Sequence, residues 1–199
     1  MEKNVLISLS AVLFIFLFNQ CTSTKRPLET PIQKNLSRED SLLFVLTTKK
    51  VEQLGLIPLH KSGFDSLFIR IWGGHSMAIK QPLIELSKNS KGWRGWIYTI
   101  EWGDDDDAGK DTYRVLDKKP LHPKSSWTDF EKSLRNCGFF EVQSVPGSGA
   151  DGISYRIELA TQREYKYSYI WGPVATSKDS SEVRLARSLD LINEEFGLK

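Results

Sequence analysis

Residues 153–171 read ISYRIELATQREYKYSYIW, and this stretch decides the fold. Ile153, Tyr155, Ile157 and Leu159 alternate with polar residues over its first half. Tyr165, Tyr167, Tyr169 and Trp171 alternate over the second. A period of two places each set on one side of a strand, and the intervening TQRE predicts a hairpin turn. Two adjacent strands joined by so short a turn must run antiparallel.

The same reading extends outward. Leu67, Ile69 and Ile71 alternate with Phe68, Arg70 and Trp72, so a strand is expected up to Gly73 and Gly74. LIELS at 83–87 predicts another. Trp96, Tyr98, Ile100 and Trp102 share a face, and TYRVLD at 112–117 returns, so 95–117 reads as a hairpin with an acidic tip. A further strand is expected over 139–145. Trp127, Phe130, Leu134 and Cys137 follow a helical period, with Ser126 or Thr128 to cap and Gly138 to stop it. Leu185, Leu189, Ile192 and Phe196 form the stripe of a last helix, started by Asp179 with Glu182 and ended by Gly197. Ser37 and Asp40 resemble a capping box ahead of Leu43, Leu46, Lys50 and Leu54, although LLFVLTT also suits a strand. The expectation is an α+β domain over 38–199: an antiparallel sheet of about six or seven strands, with two or three helices covering one face.

Composition sets limits on function. The chain has 199 residues, is 40% hydrophobic and 26% charged, and carries a net charge of +2. That balance suits one globular domain and not a nucleic-acid binder, which needs a basic face for phosphates. With 2 Cys and 3 His there is little material for a disulfide scaffold or a zinc site, and no cofactor or metal is expected.

Val5 to Phe18, VLISLSAVLFIFLF, is an apolar run preceded by Lys3 and stopped at Asn19. It falls short of the ~20 residues that cross a bilayer and suits the core of an export signal. Cys21 follows at once in LFNQCTST. This layout resembles the bacterial lipoprotein signal, in which the cysteine becomes the first mature residue and carries lipid. The resemblance implies a signal over 1–20, lipidation (palmitate among the chains) at Cys21 and a membrane-anchored envelope location. Gln20 departs from the small residue that family prefers. Cleavage after Ser23 is the alternative, and would give a secreted or periplasmic soluble protein. Residues 21–37 are polar with two prolines and read as a flexible tether or as a plain N-terminal tail. With Cys21 lipidated or removed, Cys137 has no disulfide partner. The pair DGISYRIEL and YKYSYIWGP resembles uncharacterised bacterial envelope proteins, from which no activity follows.

Several motifs invite a chemistry. Gly74-His75-Ser76-Met77-Ala78 resembles the nucleophile elbow of the α/β-hydrolases, and His122 lies downstream. Yet the fifth position is Ala, Pro82 follows, and no βα repeat builds a parallel sheet. A small serine hydrolase is therefore the alternative function and not the leading one. Gly147 to Gly152 matches the dinucleotide spacing, but Pro146 precedes it and a strand follows, so no helix start receives a pyrophosphate. Asp104 to Asp107 form an acidic tip without the spacing of a calcium loop; a solvated tip is the simpler reading. No catalytic residue is assigned. The aromatic alternation is the feature closest to a function. Tyrosine joins an apolar body to a polar tip, which suits half-exposed positions. Tyr165, Tyr167, Tyr169 and Trp171 are the candidate ligand-binding residues of a non-enzymatic envelope domain that meets a protein or saccharide partner. The competing account places them beneath helices, as structure alone.

Overall fold

A computed structural model describes residues 38–61, 67–75, 78–105, 110–145, 147, 152–162 and 164–198. Cys21, the signal run, the tether and Ser76 lie outside the described residues, as do Asp106 and Asp107 of the acidic tip. The elements are α1 (Arg38–Gln53), β1 (Leu67–His75), β2 (Lys80–Asn89), β3 (Gly92–Asp105), β4 (Lys110–Leu121), α2 (Trp127–Asn136), β5 (Ile153–Thr161), β6 (Tyr165–Trp171) and α3 (Ser180–Phe196). The six strands form one sheet in the order β4-β3-β2-β1-β5-β6, and every neighbouring pair is antiparallel. The α+β reading holds. Among the described residues, no helix is long and apolar enough to cross a membrane.

The pairing explains the topology. β1 to β4 form a meander, each strand beside its predecessor. The chain then crosses the sheet through α2 and places β5 on the free edge of β1, where Ile69 pairs with Leu159 and Ile71 with Ile157. Ser126 caps α2 by accepting a hydrogen bond from the Asp129 amide at 3.1 Å. Asp179 caps α3 by accepting from Ser181 at 2.7 Å and Glu182 at 3.3 Å. Gly138 and Gly197 leave these helices at φ 75° and 63°, a conformation in which a Cβ is strained.

Both faces of the sheet are covered, contrary to the expectation of one. On the aliphatic face, Ile69, Ile71, Ile84, Leu86, Ile157 and Ile170 pack against Phe130 and Leu134 of α2 and Leu185 and Ile192 of α3. Burial of each such side chain stabilises by about 1.5–3 kcal/mol. The opposite face carries the aromatic alternation, and α1 covers it. Alternating strands in which both sets are large or apolar leave neither side fit for water, so a third layer is required. The side of α1 that turns inward is Phe44, Thr47 and Val51; Leu46, expected there, is exposed.

The strand expected over 139–145 does not form. Phe139 and Val142 are both buried, a spacing of three that suits the observed 3-10 turn at Phe139–Glu141. Side chains then satisfy its backbone in place of a ladder. Ser168 donates to the Val142 carbonyl at 3.0 Å, and Ser144 accepts from the Tyr169 amide at 3.0 Å. One isolated parallel bridge, Val145 to Ile170, is all the strand character present in that segment.

Candidate functional site

The centre of the aromatic face holds three charges in a row. The register puts Glu85 of β2, Arg70 of β1 and Glu158 of β5 side by side on adjacent strands. Arg70 is fully buried, with Glu158 at 2% and Glu85 at 7% exposure. Arg70 donates to Glu85 Oε1 from Nε at 2.8 Å and from Nη2 at 2.6 Å, and to Glu158 Oε2 from Nη1 at 3.3 Å. Burial opposes the arginine's charge, but Glu158 and Glu85 outweigh it and hold its pKa above the ordinary value.

The remaining carboxylate oxygens are met by aromatic donors. Tyr98 donates to Glu85 Oε2 at 2.7 Å. Tyr165 donates to Glu158 Oε1 at 2.9 Å and Trp72 Nε1 to Glu158 Oε2 at 2.9 Å. Burial, then the neighbouring glutamate, pushes both tyrosine hydroxyls up, so they stay protonated and remain donors. Arg70 Nη2 also donates to the Ile57 carbonyl at 2.9 Å, which ties the segment after α1 onto the face. Each nitrogen of the Arg70 guanidinium and each oxygen of the two carboxylates has a hydrogen-bond partner. This network fixes which strands lie together, and it explains why tyrosine and tryptophan stand where Ile or Phe would otherwise serve.

The sequence-predicted aromatic row divides along its length. Tyr165 and Tyr167 are buried under α1, with Phe44 meeting them edge-on at 6.2 Å and 5.6 Å. Thr47 shares a hydrogen bond with the Tyr167 hydroxyl at 3.4 Å. Tyr169 and Trp171 are half-buried. Gly152 lies against Trp171: a Cβ there would stand 3.0 Å from its Cζ2, in a backbone at φ 154°. The glycines of the dinucleotide-like run therefore serve close approach to an indole at Gly152. The intervening 148–151 lie outside the described residues.

Two further cations of this face lie against aromatic rings. Arg156 pairs with Tyr169 in the β5–β6 register and lies 5.9 Å from its ring. Lys50, in the last turn of α1, sits 4.4 Å from the Tyr113 ring centroid. Burial first, then Arg156, lowers the Lys50 pKa to about 8, against an opposing pull from Asp111. Sequence reasoning missed Lys50, Arg156 and the two glutamates. Only the glutamates had a signal, in two copies of Ile-Glu-Leu at 84–86 and 157–159, each placing a charge inside an apolar strand.

The other candidates are dispersed. Leu121, before His122, belongs to the same row across the sheet as Ile69, and His75 ends β1 six positions further along. The two histidines are thus about 20 Å apart along the strand direction alone. Cys137 is half-buried and free, its thiol pushed up by burial. No family model, curated protein or solved structure matches the chain.

Proposed function

We propose that the chain is a lipid-anchored cell-envelope protein whose domain works by binding, with Tyr169 and Trp171 at the edge of its contact surface. The observation that carries this reading is the split within one strand. Tyr165 and Tyr167 are committed to the core, whereas the next two rings of the same row are only half-buried, beside Arg156. Rings in that position stack on a sugar face or meet a protein side chain, with the guanidinium adding a cation–π contact. The partner is a protein or a saccharide.

The tether through Cys21 draws support from α1, the first element after residues 21–37. Its outer side exposes Leu42, Val45 and Leu46 at 62%, 48% and 41%. Apolar residues at such helical spacing suit the headgroup boundary of the bilayer that the lipid would occupy.

Two experiments test the two halves. Cys21→Ala should release the protein from membranes or block its processing; unchanged fractionation and an unchanged mass shift would sink the anchor. A photo-crosslinking aromatic placed at Tyr169 should trap an envelope component that the same probe at buried Tyr167 does not. Equal yields from both positions, or none, would remove the binding edge.

A further inference from the structure

The aliphatic face ends, at the β5–β6 turn, in a cavity of about 110 Å³ lined by Leu67, Phe140, Leu159, Thr161, Glu164 and Lys166. Strand register assembles it. Leu67 stands opposite Thr161 and Leu159 opposite Lys166, in successive rows on one face of the sheet. Leu67 and Leu159 belong to the aliphatic core, and Phe140 packs on that core from its 3-10 turn. The Phe140 ring meets Phe139 edge-on at 5.6 Å and has the Arg135 guanidinium 4.6 Å from its centroid. Lys166 Nζ donates to the Phe140 carbonyl at 3.1 Å. The turn holds Glu164 in place: its amide donates to Thr161 Oγ1 at 3.0 Å, and its carbonyl accepts from the Thr161 amide at 2.7 Å. The cavity is thus formed before any guest arrives, with apolar walls and one charge of each sign.

Neither charge is neutralised within the chain. Among the described residues, Lys166 and Glu164 enter no ion pair. Glu141, which also acts on Lys166, is held by Arg184 at 3.2 Å, and Glu131 is held by Lys88 and Arg135. An ammonium has three donors, and the Phe140 carbonyl meets one of those on Lys166. Burial lowers the Lys166 pKa, so its charge gains from an anion placed beside it.

We infer that this cavity binds an aliphatic α-amino acid of the size of valine or leucine, its side chain between Leu67, Leu159 and the Phe140 ring, its carboxylate on Lys166 and its ammonium on Glu164. An apolar cavity of about 150 Å³ takes a benzene-sized guest, so one of about 110 Å³ suits a branched group of about four carbons. The two charges decide the rest. A plain carboxylate gains from Lys166 and is repelled by Glu164, and a plain amine meets the reverse; a zwitterion gains from both. The cavity lies on the face turned away from Tyr169 and Trp171, so the inference does not depend on the binding edge.

The test titrates the full-length protein in detergent with L-leucine up to about 10 mM, ample for a Kd of about 1 mM. The readouts are the NMR methyl signals of Leu67 and Leu159, with calorimetry beside them. Leucine should move those signals and glycine, which has no side chain to insert, should not. 4-Methylpentanoate, which lacks the ammonium, and leucinamide, which lacks the carboxylate, should each bind roughly tenfold more weakly, the equivalent of about 1.4 kcal/mol. Glu164→Gln should weaken leucine to a similar degree without weakening 4-methylpentanoate, a split that loss of structure does not produce. Lys166→Met should weaken leucine and 4-methylpentanoate and spare leucinamide. Should that variant fail to fold, the exposed Glu164→Gln carries the test alone. No movement of Leu67 and Leu159 with leucine, equal binding of leucine and its two analogues, or leucine binding that survives Glu164→Gln unchanged overturns the inference.

Discussion

Arg70 directs two hydrogen bonds at a single oxygen of Glu85, Oε1, at 2.8 Å and 2.6 Å, and leaves Oε2 to Tyr98. The arginine is thereby free to turn Nη1 toward Glu158 and Nη2 toward the Ile57 carbonyl. One guanidinium joins three strands and a loop. Arg70→Met would leave two carboxylates buried without their cation, at a cost of about 3–5 kcal/mol. Urea unfolding measures it, and a change below about 1 kcal/mol would show that the carboxylates find water. A double-mutant cycle with Glu158→Gln should return a coupling above about 0.5 kcal/mol.

Tyr165→Phe removes the donor that meets Glu158 Oε1 and should destabilise by about 1–3 kcal/mol, although only a hydroxyl is lost. Tyr113→Phe should stay within about 0.5 kcal/mol, because that ring is half-buried and is met by Lys50 at its face. Equal effects on thermal unfolding would contradict the assignment of Tyr165 to the network.

Gly95 should tolerate no side chain. A Cβ there would stand 3.0 Å from Leu121 Cβ and Trp127 Cη2, and 3.1 Å from Leu86 Cδ2. Trp127 in turn stacks on Trp93 with centroids 5.5 Å apart. Gly95→Ala should cost about 1–3 kcal/mol through overpacking, with the indole displaced. An unchanged melting temperature together with unchanged tryptophan fluorescence would refute it.

Leu185→Ala on α3 should cost about 2–5 kcal/mol, since Leu185 is fully buried against the aliphatic face. Leu189 on the same helix is half-buried, and its truncation should cost less. The order of the two, read by denaturant midpoints, tests how the helix is rotated.

The pKa of Lys50 is lowered to about 8 in the folded chain, from an ordinary 10.5. Between these values the unfolded chain keeps a proton that the folded chain has released, so this residue's contribution to stability rises with pH across the window. Below about 8 both states hold the proton and the contribution is flat. Lys166 shifts in the same direction, so the informative quantity is the difference between the parent and Lys50→Met. That difference should change between pH 8 and 10.5 and stay level below it; a level difference throughout would mean that Lys50 is solvated.

The strands at 153–171 were legible because alternation survives in a single stretch of chain, and α2 and α3 because Ser126, Gly138, Asp179 and Gly197 mark their ends. What alternation does not reveal is how many layers meet a strand. The Ile69 and Trp72 sides of β1 look equally suited to a core, and both turn out to be core. The rotation of α1 was hidden for a related reason: Leu42, Val45 and Leu46 are as apolar as the residues that turn inward. Arg70, Glu85 and Glu158 were missed as a group because their meeting depends on register between strands far apart in sequence. Lys50 and Arg156 were missed because they belong to different layers and share no local pattern.

The placement of β5 beside β1 has a consequence for how the chain comes into being. β1 to β4 complete their hairpins from neighbouring residues, and Arg70 and Glu85 can meet at that stage. Glu158 is synthesised much later, after β4, α2 and the turn at Phe139–Glu141. At roughly 5–20 residues per second, several seconds separate the arginine from its second carboxylate. Throughout that interval the β1 edge shows a row of unpaired amides and carbonyls, with a half-paired guanidinium beside it. A nascent or truncated chain ending before β5 is therefore an open template, and a β5–β6 hairpin from another copy fits it as well as its own. Exchange of that hairpin between chains is the misassembly this topology favours, and prompt arrival of residues 153–171 is what prevents it.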